Sequence, residues 1–263
     1  MVQRLAALAG VMLIAVLLAE PAAALGLVPH RASYHLSRRW SDPGSDVLAV
    51  EGRLEVRYQA SCEGWTSSQF LGFRLLSSED GESEHLARLV TWESADGREL
   101  WFDSRSFEDR EPTDEAAGVA RLDPPGGGEA RYSRPEPRVE RLPPGTLFPV
   151  EHINALIEAA AAGRRRLLRP VFDGSTSEGL YEVSAFFGRA LAPRRHGPLA
   201  GLRRWPVRLA YFPPGGGEPL ADFEMSLVLY ENGVAGEMVY DYGDFTVSVE
   251  PHEVEIGKRP SCP

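Results

Sequence analysis

Two cysteines constrain this chain more than any other feature. Cys62 and Cys262, separated by 200 positions, are the only thiols among 263 residues. Joined, they tie the terminal segment Lys258-Arg259-Pro260-Ser261-Cys262-Pro263 to an early part of the chain and close most of the sequence into one loop. Whether they join depends on the compartment. Residues 1–24 read as a secretory leader: Arg4 supplies the positive end, Leu5 to Ala19 is an apolar run, and Ala22-Ala23-Ala24 offers a small-x-small cleavage pattern. The run is shorter than the ~20 residues that a spanning helix needs. No cysteine follows it closely enough to carry a lipid. These residues predict cleavage near Ala24 and a mature protein that does not span the membrane, in an oxidising space where two thiols pair. A loop of this length contributes up to ~5 kcal/mol on the chain-entropy account. With no C-x-x-C spacing, the pair reads as structural rather than redox-active.

Beyond the leader the dominant hydrophobic period is two. Val50, Leu54, Val56, Tyr58 and Ala60 alternate with Glu51, Arg53, Glu55, Arg57 and Gln59, the signature of a strand packed on one face and wet on the other. Further strands are expected over 66–76, 86–93 and 99–107, with turns at Asp80-Gly81 and Asp96-Gly97. A two-residue I′ turn at Asp96-Gly97 sets Trp92 directly across from Trp101. The stretch from Glu108 to Arg141 is poorer in pattern. Strands resume over 167–172, after which comes Asp173-Gly174, then over 180–189 and 205–212. In the clearest hairpin, Asp222 to Glu231 and Val234 to Tyr242 flank Asn232-Gly233. There the turn pairs Leu227 with Met238, Met225 with Tyr240 and Phe223 with Tyr242, all on one face. Phe245, Val247 and Val249 continue the alternation.

One helix interrupts this pattern. Phe148-Pro149-Val150-Glu151-His152 opens it, with proline where no N–H is needed. Val150, Ile153, Leu156, Ile157 and Ala160 form its apolar stripe, and Gly163 stops it. Roughly a dozen strands joined by local turns, with one amphipathic helix, predict a mainly β single domain over 25–263. Its expected form is an antiparallel meander curled into an open, spiral-like barrel.

The formal charge of −10, from 28 basic and 38 acidic residues, survives removal of Arg4 and Glu20 and argues against a nucleic-acid partner. Six histidines show no metal-ligand spacing beyond His30 and His35. No G-x-S-x-G surrounds any serine. Glu151-His152 with Asp173 is the one acid/base grouping to consider, set against a hydrogen-bonded structural role for His152. The repeated Pro-Pro-Gly-Gly-Gly-Glu at 124–129 and 213–218 opens no helix and reads as loop. Asp241 and Asp244 read as turn residues, not calcium ligands. No metal or cofactor is expected. The apolar strand faces either fill a core or line a site for a peptide or acyl chain.

Several short motifs follow one another along the chain: Leu27-Val28-Pro29-His30-Arg31-Ala32, Cys62-Glu63-Gly64, Phe148-Pro149-Val150-Glu151-His152, Val171-Phe172-Asp173-Gly174-Ser175, Trp205-Pro206-Val207, Tyr230-Glu231-Asn232-Gly233-Val234, Asp241-Tyr242-Gly243-Asp244-Phe245 and the terminal Cys262. Their order and spacing resemble the cell-envelope integrity protein EipB family of alphaproteobacteria. The resemblance implies a periplasmic, non-enzymatic protein with a spiral-like barrel and a Cys62–Cys262 disulfide. It implies support of envelope integrity through a periplasmic protein partner, such as one built of tetratricopeptide repeats. A lipid or peptide ligand is also conceivable, from a likeness to lipoprotein carriers. Phe148, Pro149, Glu151, His152, Asp173, Gly174, Trp205, Asn232 and Gly233 are the motif positions of interest, none of them catalytic. Leu180, where a polar residue is expected, and the loops at 193–204 and 213–219 depart from the family pattern.

Overall fold

The computed structural model describes residues 25–123, 125–215 and 220–262; the predicted leader over 1–24 lies outside the described residues. Alternation and local turns give fourteen strands and one helix. In chain order they are β1 (His30–Ser41), β2 (Val47–Ala60), β3 (Gly64–Ser77), β4 (Gly81–Ser94), β5 (Glu99–Glu108), β6 (Glu111–Leu122), β7 (Gly128–Arg134), β8 (Arg138–Leu142), α1 (Pro149–Ala161), β9 (Arg166–Phe172), β10 (Leu180–Phe187), β11 (Arg204–Phe212), β12 (Phe223–Tyr230), β13 (Ala235–Asp241) and β14 (Phe245–Ile256). All fourteen form one antiparallel sheet, ordered from β8 down to β1, then β14 down to β9. The chain thus begins in the middle of the sheet, winds outward to β8, passes through α1, and winds back from β9 until β14 pairs with β1. The result is a nearly closed barrel with one seam, between β8 and β9, that no backbone ladder joins.

This winding brings the first and last described segments of the chain together. Gly257 N–H donates to the Pro29 carbonyl at 2.7 Å, and Arg259 donates to that of Leu27 at 2.8 Å. The disulfide is formed: Cys62 in the β2–β3 turn and Cys262 in the tail after β14 have Cα atoms 5.5 Å apart. It spans β1, which lies between β2 and β14.

The seam is closed by one isolated backbone bridge and by side chains. Leu147 pairs in parallel with Val171, donating to the Pro170 carbonyl at 2.9 Å and accepting from Phe172 N–H at 3.0 Å. Phe102, Tyr132, Phe148 and Phe172 meet edge-to-face with centroids 5.2 to 6.4 Å apart, a geometry worth more than their buried area alone. Leu180 packs into this same cluster. That corrects the expectation of a polar residue there: the position after the turn faces the seam, not solvent. From β8, Arg138 lies over Tyr132 and donates to the Ser177 carbonyl, tying the loop after β9 across the gap.

The register confirms the pairings but not the turn types. Trp92 faces Trp101, Leu227 faces Met238 and Met225 faces Tyr240. Within each of these two turns only the glycine, at 97 or 233, has positive φ, and its N–H closes back on the Ser94 or Tyr230 carbonyl. These are type I turns followed by a left-handed glycine, not I′ turns; the extra residue is absorbed by a register shift between Leu227 and Leu229. The patternless stretch from 108 to 141 holds β6, β7 and β8, and the opening β1 carried no expectation at all. Small residues hid part of this region: Ala116, Ala120 and Ala130 are buried beneath the larger rings of Phe102 and Tyr132.

Candidate functional site

The helix is the part of the sequence that the sheet alone would not require, and its anchoring shapes the interior. Pro149 opens α1 without an N–H, and Phe148 offers no side-chain cap. The next two donors are taken by a residue 57 and 58 positions away. Glu93, from β4, accepts from Val150 N–H at 2.7 Å and from Glu151 N–H at 3.1 Å, and His152 N–H then makes the first intrahelical bond, to Phe148. The helix start is thus fully satisfied by a proline and one buried carboxyl group. Burial pushes the Glu93 carboxyl up to about 8, against the pull of the two N–H bonds and with a further push from Glu151. No local signal could have found this cap, because Glu93 reads in sequence as an ordinary alternation position on β4.

Beyond its first turn α1 lies against the inner face of β9 to β12. Leu156, Ile157, Ala159 and Ala160 pack with Val171, Val183, Trp205, Val207, Leu209 and Leu229. At the helix start the N-terminal segment closes over the barrel. Leu27 N–H donates to Asn154 of α1 at 2.9 Å, and Gly26 and Val28 N–H bond the Glu231 and Asn232 carbonyls of the β12–β13 turn. Gly233 is required here, since a Cβ would come within 2.6 Å of Leu27 Cδ1.

Between helix and sheet a cavity of about 570 Å³ remains. Its wall is the inward half of the alternation: Leu54, Val56 and Tyr58 on β2, Leu209 and Tyr211 on β11, Phe223, Met225, Leu227 and Leu229 on β12, Met238 and Tyr240 on β13. Pro149, His152, Ile153 and Leu156 supply the helical side, and Asp173, Ser175, Thr176 and Asp222 come from the loops opposite the N-terminal segment. This size and apolar lining suit a small-molecule or single-chain ligand. The interior is therefore not simply a filled core.

Some polar groups in that wall are matched, Tyr34 to the Ala235 carbonyl and Thr176 to Tyr181, and others face the cavity with no protein partner among the described residues. Burial pushes the His152 ring down to about 4, and the residue lines the cavity. Tyr58 is pushed up to about 12 by burial, with Glu93 adding to it, and Tyr211 and Tyr240 are also raised chiefly by burial. These phenols are enclosed by protein yet half-open because they face the cavity. Asp173 accepts from Ser175 N–H at 2.8 Å, and burial raises its carboxyl above the usual range.

Of the motif positions, Pro149, His152, Asp173 and Gly233 line the cavity, and Glu151 presents its backbone to Glu93. Phe148 and Trp205 are core residues. Gly174 sits at φ +64° against Phe102, and Asn232 is buried in the turn beneath the N-terminal segment, accepting from Val28 N–H. Among the described residues no group of three or more His, Cys, Asp or Glu is placed to hold a metal, and no helix is long and apolar enough to cross a membrane.

Comparison with known proteins agrees with this architecture. The cell envelope integrity protein EipB of Brucella abortus (strain 2308) is 30% identical over 239 residues, covering 87% of this chain and 84% of that protein. A crystal structure of a beta-barrel-like protein of a domain of unknown function from Brucella abortus matches with a TM-score of 0.81 and 29% identity, over 89% of this chain and 100% of that one. Residues 21–258 match the EipB-like family description, and the chain belongs to that family.

Proposed function

We propose that this protein supports the cell envelope from the periplasm as a non-catalytic binding protein, holding an apolar chain inside its barrel. The relative's role in envelope integrity and the leader-like residues 1–24 support the location. The observation that carries the binding reading is the cavity of about 570 Å³ between α1 and the sheet, with its mainly aliphatic and aromatic wall. A lipid acyl chain or the apolar segment of a peptide fits that chemistry. Met225→Trp fills the lumen from β12 without touching the seam or the helix cap. Native mass spectrometry of protein isolated from envelopes is expected to show a bound apolar species in the wild type and none in the variant. Complementation should fail in parallel; a variant that binds nothing yet restores detergent resistance refutes this reading.

A second reading, engagement of a periplasmic protein such as a tetratricopeptide-repeat protein, is favoured by the outer face of β9 and β10. Leu168 and Phe186 lie there on neighbouring strands, 56% and 54% exposed, beside the unladdered edge. Leu168→Ser with Phe186→Ser abolishes periplasmic crosslinks on this reading and leaves the cavity ligand in place.

A further inference from the structure

The cavity has two chemically different ends, and the end away from the N-terminal segment is acidic and aromatic. Asp173 follows β9, Asp222 precedes β12, and Tyr181 lies within electrostatic reach of both. Around them the rings form a continuous belt: Tyr181 to Tyr211 at 5.9 Å, Tyr211 to Phe223 at 5.9 Å and Phe223 to Tyr240 at 5.5 Å between centroids. Aromatic faces beside carboxylates attract cations.

The wall offers nothing to balance those carboxylates. It contains no Arg or Lys, and burial holds both of its histidines, His30 and His152, below their ordinary range. Among the described residues neither Asp173 nor Asp222 joins a salt bridge. The phenols of Tyr211 and Tyr240 face the same space, and among the described residues neither hydroxyl has a protein hydrogen bond. Asp222 is exposed and Asp173 is enclosed, and an enclosed carboxylate without a counter-charge is costly unless a ligand supplies one. An anionic head would meet two carboxylates and no cation there.

We propose that the cavity takes an amphiphile with a cationic amine head, its apolar chain in the lumen and its charge between Asp173 and Asp222 within the aromatic belt. This rests on the apolar-chain reading above and names the ligand class for it.

The test compares three amphiphiles of one chain length, decyltrimethylammonium, decyl maltoside and decyl sulfate, all below micelle formation. Each displaces the neutral apolar dye N-phenyl-1-naphthylamine from the full mature chain, with circular dichroism confirming the fold throughout. The ammonium compound is expected to displace the dye at a concentration about tenfold below the maltoside, with the sulfate weakest. Asp173→Asn with Asp222→Asn, in which the amide at 173 still accepts from Ser175 N–H, should bring ammonium and maltoside together without weakening the maltoside. Equal displacement by all three compounds overturns the cationic head and leaves the apolar-chain reading standing. A preference that persists in the double variant overturns the acidic pair as its origin. Failure of the dye to bind at all overturns both readings.

Discussion

Glu93 is the place where one substitution reads out how the barrel is plugged. Its carboxyl oxygens accept from the two free donors at the start of α1, Val150 and Glu151 N–H, and the next residue, His152, lines the cavity. The two groups titrate in opposite senses. Glu93 keeps its proton in the fold up to about pH 8, whereas the unfolded chain releases it near 4.5. Its contribution is full below pH 4.5 and is lost as the pH rises toward 8. His152 is held neutral down to about pH 4 against an ordinary value of 6.5, so its contribution is full above 6.5 and is lost as the pH falls. Between 4.5 and 6.5 the two slopes cancel; above 6.5 only that of Glu93 remains. At about 1.4 kcal/mol per pH unit, these groups predict a fall of ~2 kcal/mol from pH 6.5 to 8. That corresponds to a drop on the order of 1 M in urea midpoint, followed by tryptophan fluorescence. Glu93→Gln keeps one acceptor but turns an amide N–H₂ toward the other donor, costing ~1–3 kcal/mol at pH 6. It should also abolish the decline above pH 6.5 while leaving the His152 decline below it. A wild-type midpoint that is flat from pH 6.5 to 8, or a Gln variant with the same fall, refutes the reasoning.

Two further outcomes follow from the seam and the tail. Phe172→Ala removes the ring shared by Phe102, Tyr132 and Phe148 and should cost ~3–5 kcal/mol, with new proteolytic cleavage between β8 and β9; cleavage elsewhere counts against the seam as the weak line. Both cysteines are exposed, so the disulfide acts mainly by restricting the unfolded chain. Cys62→Ser with Cys262→Ser is expected to lower stability by up to ~5 kcal/mol and to leave dye binding in the folded protein unchanged. An unchanged melting temperature would show the brace to be dispensable.

Much of what is carried within about ten residues was legible in the chain itself, β1, the strands from β6 to β8 and the turn types excepted. Alternation identified most of the strands, Asn232-Gly233 set the pairing of Met225 with Tyr240, and the stripe from Val150 to Ala160 identified the single helix. A period of two admits one register for a half-buried strand, and a short turn fixes which strand it meets, so local chemistry suffices for such pairings. Tertiary structure alone decided the rest. Curvature determines which half of the alternation lines a cavity instead of packing, and it made Leu180 a seam residue. It also turned Glu93, one acidic residue among 38, into the cap of a helix 57 positions away. The closing of the chain on itself belongs to both levels. The two cysteines announced that a distant contact existed, but only the winding of the sheet outward to β8 and back to β14 explains why Cys62 and Cys262 meet. Strands neighbouring in the barrel at that point are the first and last of the chain, and no sequence window contains them both.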